Sequence, residues 1–535
     1  MLNVFEKGSK LSEIALTRKG MFTGDNNYHL KNWHEISYKD MFKKHKPYNK
    51  GGIFRRWYGN NDYVINWGNN GDRVKRFKGA GNINEDYYFR KCITWGLITS
   101  GKISFRLIND NDHVIGDAGP VCLSDSRYLL ALLNTVVIST ISNIINPTLN
   151  CSCGVTGAFP IFLNSTKRSR IELLSDNNVS ISKQDWDAHE TSWDFEENEI
   201  VGYINEARDI PLECTFKDKD GQLGSYSSDA RPSFYLESLY EEFKTNWTEK
   251  FVELHTNEEE LNRQFIEIYG LEKELTPDVP LDEITILQQG EISIVNNKIE
   301  WHPDVIMKQF ISYAIGCMMG RYRLDKKGLC IAHPNPSAEE IAPYDYHGFT
   351  FDIDDDGIIP LMSKDSRFDD NGVNRLTDFI KMVLGELTLT ENMNFLEEAL
   401  GKSVELYLVK DFWKDHKKMY QNRPIYWLFS SKKGAFQVIA YMHRMNKYTV
   451  ENIRNKYLLP HIEYLRQELA GLDARITALT TQERKQYQKL QKDLEECMEY
   501  HDRLHSVADQ QIDFDLDDGV VVNYAKFGDV LAKLK

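Results

Sequence analysis

The sequence predicts an α+β protein of several domains: a mixed α/β module, a helical spacer, a second mixed module and a C-terminal antiparallel helical hairpin. Three observations predict it. Residues 63–67 and 102–107 alternate apolar with polar side chains, the period of half-buried strands. Leu236, Leu239, Phe243, Trp247, Phe251 and Leu254 recur three and four apart, as on one helix face. Leu458, Ile462, Leu465, Leu469, Leu472, Ile476 and Leu479 alternate spacings of four and three, which is a heptad seam.

Taken in order, residues 1–165 form the first module. Gly51-Gly52, Asn69-Asn70-Gly71 and Gly79-Ala80-Gly81 mark its turns, and an apolar helix over residues 127–145 closes it. Asn134, Ser139, Thr140, Ser142 and Asn143 interrupt that apolar run, so it reads as a buried helix and not a membrane span. Residues 166–280 are an acidic helical spacer, with Trp186 and Trp193 as packing anchors. Residues 281–454 are the second module, built around an apolar helix over residues 310–322. Residues 455–512 are the hairpin, broken at residues 480–484 and resumed by Leu490, Leu494, Cys497 and Leu504. An intramolecular hairpin buries that seam without a partner chain. Residues 513–535 are a tail, acidic over 513–518, with a last strand or helix over 520–527.

Composition narrows the function. The chain is 41% hydrophobic and 27% charged, as soluble globular proteins are. Its net charge of −15 is uneven: residues 1–110 carry 20 Lys and Arg against 10 Asp and Glu, and the rest carry 45 against 70. A basic region on an acidic body fits a local nucleic-acid footprint. Eight cysteines in 535 residues do not make a disulfide scaffold, and Cys151-x-Cys153 lacks zinc-site spacing. No metal is expected. Asp352, Asp354, Asp356 and Gly357 imitate a calcium loop, but Ser363 at its twelfth position brings no bidentate carboxylate. Reduced thiols and a start without an apolar signal core predict a cytoplasmic protein with no membrane contact.

Residues 47–67, PYNKGGIFRRWYGNNDYVINW, carry the most chemistry. Lys50, Arg55 and Arg56 supply charge for phosphate, and Trp57 and Tyr58 supply faces that stack. Gly51 and Gly52 admit close backbone approach, and Asn60 and Asn61 offer amides that read base edges. The same residues also suit an amphipathic hairpin whose aromatics are core. A second cluster, Lys414, His416, Lys417, Lys418, Tyr420, Arg423, Tyr426 and Trp427, suits phosphate contact or a helix end packed on its neighbour.

Thr23-Gly24-Asp25-Asn26-Asn27 followed by residues 47–67 resembles the PglX family of BREX phage-defence, adenine-specific DNA methyltransferases. Asn146-Pro147-Thr148-Leu149-Asn150, Ser182-Lys183-Gln184-Asp185-Trp186, Thr191-Ser192-Trp193-Asp194-Phe195 and Arg423-Pro424-Ile425-Tyr426-Trp427-Leu428 agree in order. The resemblance spans nearly the whole chain and corresponds to the C-terminal, target-recognition portion. It implies contact with double-stranded DNA through Lys50, Arg55, Arg56, Trp57, Tyr58, Asn60 and Asn61. It also implies that Thr23, Gly24, Asp25 and Asn26 help shape the slot for a flipped base. For the full-length family it implies methyl transfer from S-adenosylmethionine to adenine N6. A catalytic methyltransferase domain or chain and other BREX proteins are then the expected partners.

The chain's own residues lack that catalyst. An amino-methyltransferase needs a glycine-rich cofactor turn and an Asn/Asp-Pro-Pro-Tyr/Phe motif to hold the flipped adenine. Asn146-Pro147-Thr148-Leu149 lacks the second proline and the aromatic face. Gly79-Ala80-Gly81 lacks the third glycine and a preceding strand, so it reads as a turn. No catalytic residue and no cofactor are therefore expected on this chain. Two other readings fit: a protein-interaction module of the defence complex, and a specificity subunit acting in trans with a catalytic chain.

Overall fold

In the computed structural model, which describes residues 2–81, 84–98, 101–209, 213–217, 223–227, 233–363 and 366–534, the early alternating segments pair into two four-stranded sheets. One has the order Thr17–Arg18, Val121–Cys122, Cys92–Trp95, Phe105–Ile108 and is antiparallel throughout. The other has the order Leu30–Asn32, Tyr63–Asn66, His45–Asn49, Val114–Ile115, and its last pair is parallel. Leu30, Tyr48, Ile65 and Val114 from one sheet meet Cys92, Ile108 and Val121 from the other in a single core. Trp67 and Tyr88 fill it. Side chains alternate across each strand, so each sheet turns one face to this core.

The chain divides into two compact units. The first comprises residues 1–33, 40–195 and 244–302; the second comprises 34–39, 196–243 and 303–535. Both are discontinuous, and the stretch 166–280 expected as a spacer is shared between them. The helix Leu236–Tyr269 gives its residues to 243 to the second unit and the remainder to the first.

The helix expected over residues 127–145 is two helices, Arg127–Leu133 and Val136–Ile145, bent by 62°. The correction has a local cause. Asn134 leaves the helix to pair with a strand edge: its Oδ1 accepts from the Phe105 amide at 2.9 Å, and its Nδ2 donates to the Phe105 carbonyl at 3.0 Å. The amide of Val136 is then capped by Asn262 Oδ1 at 2.9 Å. Tyr128 to Leu133 are all buried. No single described helix is long and apolar enough to cross a membrane.

In the second unit the strands Ile358–Pro360, Gln437–Tyr441 and Tyr426–Ser430 form an antiparallel sheet with Gln437–Tyr441 at its centre. The apolar helix expected near residue 310 is Pro303–Met318, buried from Ile306 onward except at Lys308 and Gln309. The hairpin forms as the heptad seam predicts. Leu459–Asp473 and Thr481–Ala508 run antiparallel, as cross-contacts from Arg454 to His501 and from Asp473 to Tyr487 show. The break in the seam is a helix start: Thr480 and Glu483 form a reciprocal capping box. The tail forms the helix Val520–Ala525, and Phe514, Tyr524 and Phe527 surround Trp427.

The second basic–aromatic cluster resolves into core and surface. His416, Tyr420, Tyr426 and Trp427 are buried, whereas Lys414 and Lys418 are exposed. His416 Nε2 accepts from the amides of Ile425 and Tyr426, which fixes it as an unprotonated acceptor. The calcium-like turn buries Asp354 and leaves Asp352 and Asp355 exposed. Asp354 Oδ1 accepts from the amides of Gly357 and Ile358, Asp356 is paired with Lys456, and Arg444 donates to the carbonyls of Asp354 and Asp355.

Burial, with the charge of Arg321 behind it, pushes His416 and His443 down to about 3, and burial takes His461 to about 4. An unfolded histidine titrates near 6.5, so these groups contribute stability that is present above that pH and lost as pH falls below it. Raised groups, among them His189, Asp354 and Asp62, act in the opposite sense over the same range, so the test is made ring by ring. The ring-proton NMR signals of His416, His443 and His461 are expected to stay unshifted from pH 7.5 to pH 5, and a titration of any of them in that window contradicts its burial.

Candidate nucleic-acid interface

The Pro47–Trp67 stretch is a strand, a folded loop and a second strand. Asn49 closes the first strand, donating to Thr94 Oγ1 at 2.7 Å and to the Gly119 carbonyl at 2.9 Å. Gly52, at φ +131°, lies so close to Asn60 that a Cβ would sit 2.5 Å from its side chain. Asn60, itself at φ +61°, donates to the Ile53 carbonyl at 3.0 Å. Glycine and asparagine are therefore required at the loop's neck for conformational reasons.

The loop's arginines point inward. Arg55 and Arg56 are 4% and 6% exposed, and Trp57 is 1% exposed. Arg55 Nη2 bonds Asp185 at 2.8 Å and the Ser182 carbonyl at 3.0 Å, and its Nε bonds the Tyr58 carbonyl at 2.7 Å. Arg56 pairs with Glu258 and, at 3.1 Å, with Glu283. Trp57 Nε1 donates to the other oxygen of Glu258 at 2.7 Å. Trp57 also extends the sheet through backbone bonds to Phe105 and Leu107. The guanidiniums expected on phosphate are thus internal struts in this structure. Tyr58 is half-buried under Lys183, 5.0 Å from its ring, and burial with Asp187 raises its hydroxyl to about 12.

What the loop leaves accessible is a cavity of about 740 Å³ within the first unit. Gly51, Gly52 and Gly96 give it bare backbone walls, and Phe54 and Tyr63 give it aromatic ones. Lys50 lies at its edge, its Nζ 4.1 Å from the centre of the Tyr63 ring. Asp62 also lines it, and among the described residues no hydrogen-bond donor or ion-pair partner reaches its carboxylate. Burial raises the Asp62 carboxyl to about 6, against the pull of Arg55, Lys50 and Arg106. Asn61 is half-buried beside it.

Thr23 to Asn26 lie against the Gly79-Ala80-Gly81 turn. Thr23 is buried and donates to Asn26 Oδ1 at 2.6 Å, and Asp25 caps the helix Asn26–His29. Gly24, at φ +78°, abuts the backbone of Gly79 and Ala80, and Phe22 bridges Gly81. The turn thus lies against Gly24, with Gly79 itself exposed. Asn146-Pro147-Thr148-Leu149 closes on itself, with Asn146 Nδ2 donating to the Asn150 carbonyl and Thr148 donating to Asn146 Oδ1. That block has no second proline and no aromatic side chain for a stacked adenine.

Around this turn runs an exposed patch of cations and aromatic rings. Arg73 lies 4.9 Å over Tyr28 and bonds its hydroxyl at 2.7 Å, and Tyr28 stacks on Phe77. Arg18 and Arg90 flank Tyr87 at 5.6 and 5.8 Å. Asn84 ties this group to the Lys19 carbonyl. Lys19, Arg73, Lys78, Arg90 and Lys91 are exposed, and none of them has a carboxylate partner among the described residues. Sequence reasoning passed over these positions, although the run Arg73-x-Lys75-Arg76-x-Lys78 was a visible signal.

Removing one member of a buried ion pair strands the other charge, at a cost of about 3–5 kcal/mol. Arg55→Ala and Arg56→Ala are expected to destabilise the fold by that order in urea titrations, and Asp185→Ala should match Arg55→Ala. Values near zero contradict the internal role. Asp62 behaves oppositely. Its raised carboxyl pKa means that stability is lost as pH rises through about 6. Asp62→Asn is therefore expected to melt at or above the parent temperature at pH 7.5, and a lower melting temperature contradicts this.

The chain is 33% identical, over its whole length, to the adenine-specific methyltransferase BrxX of Escherichia coli O9:H4 (strain HS), covering 44% of that protein. It is 32% identical, over 97% of its length, to the adenine-specific methyltransferase PglX of Lacticaseibacillus casei (strain Zhang), covering 42% of it. No protein-family model matches the chain. The chain thus spans less than half the length of the curated relatives it matches, and both of those relatives are adenine-specific methyltransferases.

Proposed function

We propose that this chain is the DNA-reading part of an adenine-specific DNA methyltransferase. The observation that carries this is the exposed patch of Lys19, Arg73, Lys78, Arg90 and Lys91 interleaved with Tyr28 and Tyr87. Unpaired cations neutralise phosphate and release counterions, and aromatic faces between them meet sugars or bases. The similarity of the chain to part of two adenine-specific methyltransferases supports double-stranded DNA as what that patch meets. In this reading Arg55, Arg56 and Trp57 hold the platform, and the patch contacts the backbone.

Methyl transfer itself falls to a catalytic domain or chain that supplies the S-adenosylmethionine site. Residues 1–535 contain no Asn/Asp-Pro-Pro-Tyr/Phe motif, and Gly79-Ala80-Gly81 lacks the third glycine of a cofactor turn. The purified chain is expected to transfer no labelled methyl group to DNA.

Duplex binding titrated against salt tests the reading. The parent chain is expected to bind at low salt and weaken steeply as salt rises. Lys78→Ala and Lys91→Ala should each weaken binding to all sequences alike and lower the salt slope by about 1. Absence of binding at low salt contradicts the reading and favours a protein-contact role within a larger assembly.

A further inference from the structure

We infer that Phe22 is a wedge, whose ring enters the base stack of bound DNA and opens one step between base pairs. This rests on the DNA reading, because the patch that brings the duplex to the ring is the one proposed above.

Single apolar side chains on a protein surface are ordinary and carry no meaning by themselves. Three features set Phe22 apart. The first is how its backbone is held. Met21 and Thr23 are buried, so the alternation of an extended segment turns the Phe22 ring outward, where it is 49% exposed. The Phe22 amide donates to the Gly81 carbonyl at 2.9 Å, and the Gly81 amide donates to the Phe22 carbonyl at 2.8 Å. On the other side, the Met21 amide donates to the Ile115 carbonyl at 2.7 Å, and the Asp117 amide donates to the Met21 carbonyl at 2.9 Å. The base of the ring is thus fixed from both sides. Among the described residues the ring makes no contact with another ring or a cation.

The second feature is the bare backbone beside it. Gly24 and Gly79 are exposed, and a Cβ on Gly79 would meet only the Gly24 Cα, at 4.0 Å. A surface without side chains next to a projecting ring lets a second backbone come close. The third is charge. Lys19, Arg73 and Lys78 are exposed around this segment, and the carboxylates nearest in sequence are mostly engaged: Asp25 caps a helix, Asp72 pairs with Arg76 and Glu85 pairs with Lys75. Asp86 is exposed. An apolar protein surface laid over Phe22 would strip water from those cations and give them nothing in return. A duplex meets both needs, with phosphates outside and apolar base faces inside, and those faces become reachable when a step opens.

Phenylalanine is one of the side chains that insert between base steps, unstack them and kink the duplex. The cost depends on the step. It is lower at flexible pyrimidine–purine steps and at mismatches, where less stacking or pairing is lost. Phe22 therefore gives the chain a preference for deformable DNA without a hydrogen bond to any base edge.

The experiment titrates the full chain with two duplexes of one sequence, one of them carrying a single central mismatch beside a 2-aminopurine. The parent chain is expected to bind the mismatched duplex about tenfold more tightly, with a rise in 2-aminopurine fluorescence. Phe22→Ala is expected to bind both duplexes alike, without the rise and with the parent's salt slope, because no phosphate contact is lost. Phe22→Leu, which keeps an apolar wedge, is expected to retain a preference of about threefold. Lys78→Ala is expected to weaken both duplexes equally and leave their ratio unchanged. Melting curves confirm that each variant folds. Equal binding of both duplexes by the parent chain, or a preference that survives in Phe22→Ala, overturns the inference, and salt-dependent duplex binding in either case leaves the DNA reading standing. Absence of binding to both duplexes at low salt overturns both.

Discussion

Three guanidinium–carboxylate contacts made by two buried arginines organise the first unit. Arg55 reaches Asp185 on the helix Arg168–Asp187, and Arg56 reaches Glu258 on the helix Leu236–Tyr269 and Glu283 in the turn that follows it. A single dipeptide thus joins a sheet edge to three segments that lie 130 to 227 residues away in the chain. Ion pairs buried to this degree gain little net stability over apolar packing, because desolvation offsets the attraction. Their use is positional. Each pair has one satisfactory geometry, and that geometry fixes where the loop's neck, the cavity wall and Trp57 stand.

From this follows a division of labour within one sequence motif. The stretch with the most obvious nucleic-acid chemistry spends its strongest cations on the protein. It leaves Lys50 and Asp62 lining a cavity, and in the proposed reading phosphate contact falls to Arg73, Lys78, Arg90 and Lys91. A rigid platform with accessible cations on one region and a recessed polar cavity on another is suited to reading DNA. The low stability expected of a partnerless carboxylate at neutral pH is the kind of local conflict that functional sites retain.

Periodicity made much of the fold legible. The heptad seam gave the hairpin, its break gave the Thr480 cap, and the three-and-four spacing gave the helix Leu236–Tyr269. The bend at Asn134 was not legible, because it depends on a strand edge at Phe105 that lies 29 residues earlier. The two discontinuous units were hidden for the same reason: no local pattern shows that residues 34–39 fold with residues 303–535. At the candidate site, residue type identified the right segment, but the sidedness of Arg55 and Arg56 was set by Asp185, Glu258 and Glu283. Only the folded chain brings those partners together. Asp62 stood inside the motif, yet a single aspartate among asparagines gave no sign that it would face a cavity unpaired.

Hydrogen–deuterium exchange of the full chain with and without duplex DNA tests the central claim most directly. The amides of Arg55, Arg56 and Trp57 are already bonded to Ser104, Thr285 and Phe105. The account predicts slow exchange there in the free protein, unchanged by DNA, with new protection over residues 18–28 and 73–91. Protection gained at residues 55–57 and absent from 73–91 would contradict it.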